Sequence, residues 1–180
     1  MIVFYSIVLN HHQAPLADTL WELTQGAYRF VELSGSTAFQ KGGSRDYSAR
    51  PYLIKAWKDD ASYSEAMELA KTADVCVFGG VDAMEFQIER LKLGLLSFEM
   101  GERWLKKGLK NLLSPRLIKY LWTYHIEGWG KKQLYKLCSG AYVVNDQYKL
   151  GTFKGKCYKW GYFTEVPYDQ RIHWVSIQPP

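Results

Sequence analysis

The first strand of this chain is apolar at almost every position. Residues 2–9 read Ile-Val-Phe-Tyr-Ser-Ile-Val-Leu, and a polar run at 10–13 separates them from an amphipathic helix. A strand that is apolar on both sides needs cover on both faces, which is typical of a parallel sheet wrapped by helices. Such sheets bind ligands at the carboxyl ends of their strands. Residues 10–13 therefore stand where a site is expected.

Strand-like and helix-like patterns alternate along the rest of the chain. Further strands are predicted at residues 28–33, 74–80, 95–99, 142–144 and 156–160, with a short strand or turn at 52–57. Helices are predicted at residues 15–25, 59–71, 82–92, 102–110, 114–126 and 131–138. This order predicts an α/β fold, a Rossmann-like three-layer domain with a mostly parallel sheet.

A long polar segment interrupts this alternation after the second predicted strand. Residues 34–50 include the pair Gly42–Gly43 and show no apolar periodicity. Long excursions of this kind are usually functional or disordered. We expect a mobile loop at the rim of the ligand cleft.

Composition narrows the classes of ligand. The chain has 180 residues, 16% of them aromatic, and a formal net charge of +5. Aromatic and basic side chains together favour ligands that carry phosphate or sugar rings, or an anionic membrane surface. Nucleic acid is disfavoured, because the basic residues are spread along the chain and no nucleic-acid motif is present.

Several common motifs are absent from the sequence. There is no G-x-G-x-x-G or P-loop signature, which disfavours a nicotinamide enzyme or an ATPase, and no G-x-S-x-G elbow. Cys76, Cys138 and Cys157 have no metal-ligand spacing, so we expect buried reduced thiols, no metal and no cofactor. The amino terminus lacks signal-peptide features and its apolar run is too short to span a bilayer. These features predict a cytoplasmic protein.

Six motifs together resemble a known enzyme family. They are NHHQAPL at 10–16, FVEL at 30–33, RPYL at 50–53, ADV at 73–75, GERW at 101–104 and GKCYKWGYF at 155–163. The chain resembles, to about residue 166, the amino-terminal half of GT-B-fold glycosyltransferases from gut Bacteroidetes. Those enzymes are similar to the large retaining family that builds bacterial capsules and lipopolysaccharide.

The resemblance implies a two-domain enzyme with a cleft between two Rossmann-like halves. Residues 1–166 would form the acceptor-side domain, and 167–180 a linker with the first strand of a donor-binding domain. The intact enzyme is expected to transfer a hexose from a nucleoside-diphosphate sugar to a glycan or lipid-linked acceptor, whereas 180 residues alone should be inactive. The alternative is a non-catalytic Rossmann-like module that binds a sugar, a nucleotide or a partner chain.

The residues after the first strand are the first candidates for the site. His11 and His12 face the cleft in the resembling family, where an imidazole can bond to sugar hydroxyls or exchange a proton with them. Asn10 and Gln13 are candidate contacts for the acceptor or a phosphate. Each also has a purely structural reading, as a helix cap for the histidines and as turn residues for Asn10 and Gln13.

A second candidate group ends or follows the strand predicted at 95–99. Glu99 and Glu102 are candidate catalytic carboxylates, and Arg103 is a candidate ligand for an anion. Many relatives carry a histidine at this place, and this chain does not. A capping box or a surface ion pair is the alternative.

Glycines and an asparagine complete the predicted set. Gly79 and Gly80 follow an apolar strand and would let a ligand approach the backbone, or form a tight turn. Asn145 follows the strand predicted at 142–144 and would line the cleft, or cap a helix together with Asp146.

Residues 106–136 combine lysines with apolar and aromatic side chains. The basic members are Lys106, Lys107, Lys110, Arg116, Lys119, Lys131, Lys132 and Lys136. Cationic helices with an aromatic face are typical of peripheral membrane contact, here at the inner membrane. A charged outer face over an apolar core stripe gives the same pattern in an ordinary surface helix.

Overall fold

Seven parallel strands form one sheet in the computed structural model, which describes residues 1–35, 46–130 and 133–164. The strands are β1 (Ile2–Ser6), β2 (Tyr28–Glu32), β3 (Leu53–Lys55), β4 (Val75–Gly79), β5 (Ser97–Gly101), β6 (Leu134–Ser139) and β7 (Cys157–Trp160). Their order is β3-β2-β1-β4-β5-β6-β7. This is the 3-2-1-4-5-6 order of a Rossmann fold extended by β7. The predicted α/β fold is confirmed.

Helices cover both faces of the sheet. They are α1 (Ala14–Leu23), α2 (Asp60–Thr72), α3 (Met84–Lys92), α4 (Pro115–Trp122) and α5 (Val143–Lys149), with 3-10 helices at Val81–Ala83 and Gly108–Leu113 and a π-helix at Thr123–Glu127. On one face, α1 packs over β1 and β2 through Ala14 and Ala17. On the other face lie α2 with Ala66 and Ala70, and α3 with Phe86. The result is three layers, with the core on both sides of the sheet.

The first half of the chain follows the predicted elements closely. Helix α1 ends before Gly26, whose φ of 89° lies in the left-handed region that favours glycine. Asp59 caps α2, accepting a hydrogen bond from the Ser62 amide at 2.7 Å. Residues 36–45, which make up most of the loop predicted to be mobile at 34–50, lie outside the described residues.

The second half departs from the predicted elements at three places. Residues 102–110 were predicted to be a helix and contain turns and the start of a 3-10 helix, with Gly108 at a φ of 63°. The helix predicted at 131–138 is wrong, because the segment holds strand β6. The strand predicted at 142–144 is also wrong, because Val143 opens α5 and is buried in the interior.

The position of β5 changes the environment of one predicted site residue. The strand runs from Ser97 to Gly101, two residues later than predicted, so Glu99 lies in its middle. Its side chain is buried on the face covered by α4, and Glu99 Oε1 accepts a hydrogen bond from Lys136 Nζ at 2.6 Å. Lys136, predicted to be part of a cationic surface, is thus completely buried.

Candidate functional site

A cavity lies where the strand order reverses. The chain leaves β1 toward one edge of the sheet and leaves β4 toward the other, so a crevice opens between their carboxyl ends. The crevice holds a cavity of about 390 Å³. Where β1 and β4 end, its wall consists of Ser6, Ile7, Gly79 and Gly80. We call this space the switch-point cavity.

The other walls of the switch-point cavity come from the segments after β5 and β7 and from α4. They are Met100, Gly101, Glu102, Arg103, Trp104, Lys106, Asn111, Ser114, Arg116, Leu117, Tyr120 and Tyr162. Residues far apart in the chain therefore meet at one sheet edge, because all seven strands are parallel. Ser114 stands at the N-cap position of α4 and Pro115 in its first turn.

Gly79 lets β1 and β4 approach each other beneath the cavity, and Gly80 turns the chain at the end of β4. A Cβ atom at Gly79 would lie 3.1 Å from Met100 Cε and 3.3 Å from the carbonyl oxygen of Tyr5. Gly80 has a φ of 92°, which disfavours any other residue. The turn predicted for this pair is present at Gly80, and the approach of a ligand to its backbone stays a prediction.

A buried carboxylate orients the arginine at the cavity. Arg103 donates from Nη2 to Asp146 Oδ1 at 2.9 Å and from Nε to Oδ2 at 3.1 Å, while the Leu105 amide donates to Oδ2 at 2.9 Å. Burial raises the pKa of the Asp146 carboxyl, but these donors outweigh it and the net pKa lies below the ordinary value. The Arg103 side chain stays 39% exposed, so its outer edge can contact a ligand.

Glu102 stands between a lysine and a tyrosine at the mouth of the cavity. The Lys106 ammonium and the Tyr162 hydroxyl both donate to its carboxylate. These two hydrogen bonds lower the pKa of Glu102, and the one from Tyr162 raises the pKa of the tyrosine to about 12. Glu102 is therefore ionised at neutral pH and can accept a proton or a hydrogen bond.

A smaller pocket adjoins the switch-point cavity on the α1 side. It has a volume of about 60 Å³ and contains Asn10, His12, Gln13 and the segment after β7 from Trp160 to Phe163. We call it the histidine pocket. Met100 and Tyr162 line both spaces. The ring centroids of His12 and Tyr162 lie 5.3 Å apart, so Tyr162 connects the histidine to Glu102.

Two polar atoms in the histidine pocket are buried without a hydrogen-bond partner among the described residues. They are His12 Nδ1 and Gln13 Oε1. The Gln13 side chain also donates from Nε2 to Ser6 Oγ at 3.2 Å, and the backbone amide of His12 donates to Asn10 Oδ1 at 2.9 Å. Leaving a buried polar atom unpaired costs about 1–3 kcal/mol. A ligand with hydroxyl groups would pair both atoms.

The structure brings together seven of the ten predicted site residues. Those lining the two spaces are Asn10, His12, Gln13, Gly79, Gly80, Glu102 and Arg103. The other three, His11, Glu99 and Asn145, line neither space. His11 is exposed, Glu99 is paired in the core, and Asn145 lies within α5 rather than after a strand.

Sequence reasoning missed Tyr162, Asp146 and Arg116. Tyr162 follows β7, which was predicted as a strand at 156–160, and a parallel orientation of that strand places Tyr162 at the same sheet edge as His12. Asp146 was predicted to be a helix cap, because the strand predicted at 142–144 would have put it before a helix and not inside α5.

Comparisons with protein-family models, curated proteins and solved structures returned no match.

Among the described residues there is no cluster of three or more His, Cys, Asp or Glu side chains that could hold a metal ion. In the same part of the chain, no helix has the length and apolar character needed to cross a bilayer. All three cysteines are free thiols, and Cys76 and Cys138 are buried as predicted, while Cys157 is partly exposed.

The Tyr162→Phe variant tests the hydrogen bond that joins the two spaces. Removing the hydroxyl takes away one of two donors that stabilise the Glu102 carboxylate, so the pKa of Glu102 should rise toward its ordinary value. A carbon-detected NMR titration of the glutamate carboxyls measures this shift. Tyr158→Phe, in β7 just before Tyr162, is the matched control and should leave the pKa of Glu102 unchanged. An unaltered Glu102 titration in Tyr162→Phe would contradict the contact.

Proposed function

We propose that this chain is the acceptor-binding half of a glycosyltransferase and that it holds a saccharide across the switch-point cavity and the histidine pocket. The observation that carries the proposal is that an ionised carboxylate, Glu102, lies at the same sheet edge as the unpartnered polar atoms of His12 and Gln13. A sugar presents several hydroxyl groups, each able to donate and to accept. The resemblance to GT-B glycosyltransferases supports the same assignment.

Aromatic rings supply the apolar part of the saccharide site. Trp160 and Phe163 meet edge to face in the histidine pocket with ring centroids 5.1 Å apart, and Tyr162 is more than half exposed between the two spaces. Sugar rings stack their C–H faces on such side chains, and the polar groups around them fix the orientation.

The charges at the cavity favour an acceptor over the nucleotide sugar. Two of the three described cations that line it are largely neutralised, because Arg103 is paired with Asp146 and Lys106 with Glu102. This leaves Arg116, which contacts the Tyr120 hydroxyl at 3.4 Å, and the N-terminus of α4 as the groups that could bind a phosphate. A diphosphate carries more negative charge than these two groups would neutralise. We assign the nucleoside-diphosphate sugar to a second domain of the intact enzyme.

The reaction in this proposal is the one that the resemblance implies. The bond between the sugar C1 atom and the diphosphate breaks, a bond from C1 to an acceptor hydroxyl oxygen forms, and the diphosphate leaves. The hydroxyl proton goes to a base near the acceptor. Glu102 is the candidate base, since it is already ionised, and His12 with Tyr162 orients the acceptor.

Saccharide binding by this chain is the direct test. We expect mono- and oligosaccharides to bind with dissociation constants of roughly millimolar order, which corresponds to a binding free energy of about 4 kcal/mol. Nucleotide sugars should bind more weakly. NMR shift mapping and calorimetry with a panel of both classes measure this. Micromolar affinity for a nucleotide sugar would contradict the assignment of the donor to another domain and favour a nucleotide-binding module.

The two histidines give a matched pair for the same assay. His12→Ala should weaken saccharide binding about tenfold, the effect of losing one hydrogen bond to a ligand. His11→Ala should leave binding unchanged, because His11 is exposed and lies outside both spaces. Equal effects of the two variants, or none from His12→Ala, would refute the role given to the histidine pocket.

A further inference from the structure

A groove runs between α3 and α4 on the outer surface of the protein. It has a volume of about 560 Å³, and its apolar lining consists of Met84 and Ile88 from α3 and Ile118 and Trp122 from α4. Ile118 and Trp122 are 55% and 56% exposed, and Ile126, four residues further along the same side, is 54% exposed. We call this surface the α3–α4 groove. It presents a row of large apolar side chains to solvent.

These exposed side chains are not needed for the packing beneath α4. Leu117 and Tyr120, on the opposite side of the helix, fill the core together with Trp104 and Leu134. Single exposed apolar residues are common on protein surfaces, but a contiguous row of them marks a surface that contacts another molecule. The described part of the chain leaves the row in the α3–α4 groove uncovered.

Charges of both signs border the α3–α4 groove. Asp82, Glu85 and Glu89 line its α3 side, and Lys119 lines its α4 side. Glu89 is paired with Lys92, whereas Asp82, Glu85 and Lys119 form no ion pair with another described residue. The groove therefore has an ammonium without a counter-charge on one side and two carboxylates without a counter-charge on the other.

We propose that a second copy of this chain occupies the α3–α4 groove and that the two copies form a dimer with two-fold symmetry. In such a dimer each copy contributes the same surface, so a contact from Lys119 to the α3 carboxylates of the other copy occurs twice. The apolar side chains of the two α4 helices meet between these charges. This is the arrangement of an ordinary protein interface, with an apolar centre and a polar rim.

Other occupants match the charges of the groove less well. An anionic bilayer would be repelled by Asp82 and Glu85. A partner with one sign of charge would leave either these carboxylates or Lys119 without a counter-charge, which counts against binding. A second copy supplies both signs from the same surface, and two-fold dimers are the commonest oligomers of soluble proteins.

The dimer goes beyond the proposed function and does not depend on it. Leu117 and Tyr120 line the switch-point cavity from the buried side of α4, whereas Ile118 and Trp122 line the groove on the exposed side. Saccharide binding should therefore be the same in a monomeric variant and in the unaltered chain. Failure of one proposal is thus distinguishable from failure of the other.

Sedimentation velocity tests the dimer. The unaltered chain should be mostly dimeric at roughly 100 µM, as expected for an interface with a dissociation constant of micromolar order. Ile118→Glu places a charge in the interface twice and should raise the dimer dissociation constant at least about tenfold. Leu23→Glu is the matched control: Leu23 is 75% exposed on α1, at the other face of the sheet, so the dimer should be unchanged. Circular dichroism confirms that each variant is folded.

Charge reversal tests whether the occupant is a second copy. Lys119→Glu in one chain, and Asp82→Lys/Glu85→Lys in another, should each give a monomer at the same concentration, because like charges then meet twice. An equimolar mixture of the two variants should recover the dimer, because each chain presents the charge that the other requires.

Three results would overturn the proposal. The first is an unaltered chain that sediments as a monomer at roughly 100 µM, which would assign the groove to a different occupant. The second is an equal effect of Ile118→Glu and Leu23→Glu on the dimer, which would place the interface elsewhere. The third is a mixture of the charge-reversed variants that stays monomeric, which would contradict the pairing of Lys119 with the α3 carboxylates.

Discussion

The Glu99→Ala variant is expected to lose about 3–5 kcal/mol of unfolding free energy, because it leaves an ammonium ion in the core without its counter-charge. Lys136 Nζ donates to Glu99 Oε1 at 2.6 Å and lies 4.7 Å from the centre of the Trp104 ring. Both side chains are inaccessible to water, so Lys136 has no alternative partner within reach of solvent. Urea unfolding followed by circular dichroism measures the loss.

A double variant separates the pair from the volume it occupies. Glu99→Leu/Lys136→Met removes both charges and keeps apolar side chains of similar size, so its unfolding free energy should return close to that of the unaltered protein. Glu89→Ala is the control, because it removes an exposed partner of Lys92 and should change stability little. If Glu99→Ala unfolds at the same urea concentration as the unaltered protein, the buried pair has been misassigned.

The catalytic role predicted for Glu99 depended on where its strand was predicted to end. A carboxylate next to the carboxyl end of a strand suggests a site, and a shift of two residues in the strand moves it from the mouth of the crevice into the core. Burial raises the pKa of Glu99, and Lys136 opposes that shift. Sequence patterns do not locate the ends of strands to within two residues. For Glu99, an error of two residues is the difference between a position at the mouth of the crevice and a position in a buried ion pair.

Lys136 is one reason why its segment was predicted to be a helix and not a strand. Residues 131–138 have leucines at helical spacing, and a lysine in the middle of a strand breaks the alternation that would identify β6. In the structure, Leu134, Lys136 and Cys138 point to one face and Tyr135 and Leu137 to the other. A charge that is buried against a partner 37 residues away leaves no local signal.

The parts that could be predicted are those in which local and tertiary preferences agree. Strand β1, helix α1, strand β2 and helix α2 have apolar patterns of the correct period and recognisable end signals, such as Gly26 and Asp59. The convergence of His12 with Glu102 also followed from topology, because parallel strands present their carboxyl ends at one edge. Tyr162, the side chain that joins them, was missed although the strand before it was predicted, because the sequence does not give the position of that strand in the sheet.

If the proposed function holds, Glu102→Gln in the intact enzyme should reduce sugar transfer about 10²–10⁴-fold, the usual contribution of a general base. The substitution keeps the shape of the side chain and removes the negative charge that can accept a proton. Its effect should fall on kcat more than on the affinity for the acceptor, because the amide oxygen can still accept a hydrogen bond from Lys106 or Tyr162. Stability should change little, since the Glu102 side chain is 45% exposed.

The matched control is Glu85→Gln. Glu85 also accepts a hydrogen bond from a tyrosine, Tyr63, at 2.5 Å, but it lies on α3 away from the cavity. Transfer by this variant should equal that of the unaltered enzyme. The pH profile supplies a second readout: a base of lowered pKa gives a rate that falls only at acidic pH, and that limb should disappear in Glu102→Gln. Full transfer by Glu102→Gln with the acidic limb intact would contradict the role of Glu102 as the base, because a neutral amide cannot take up the hydroxyl proton, and would assign the base to another residue.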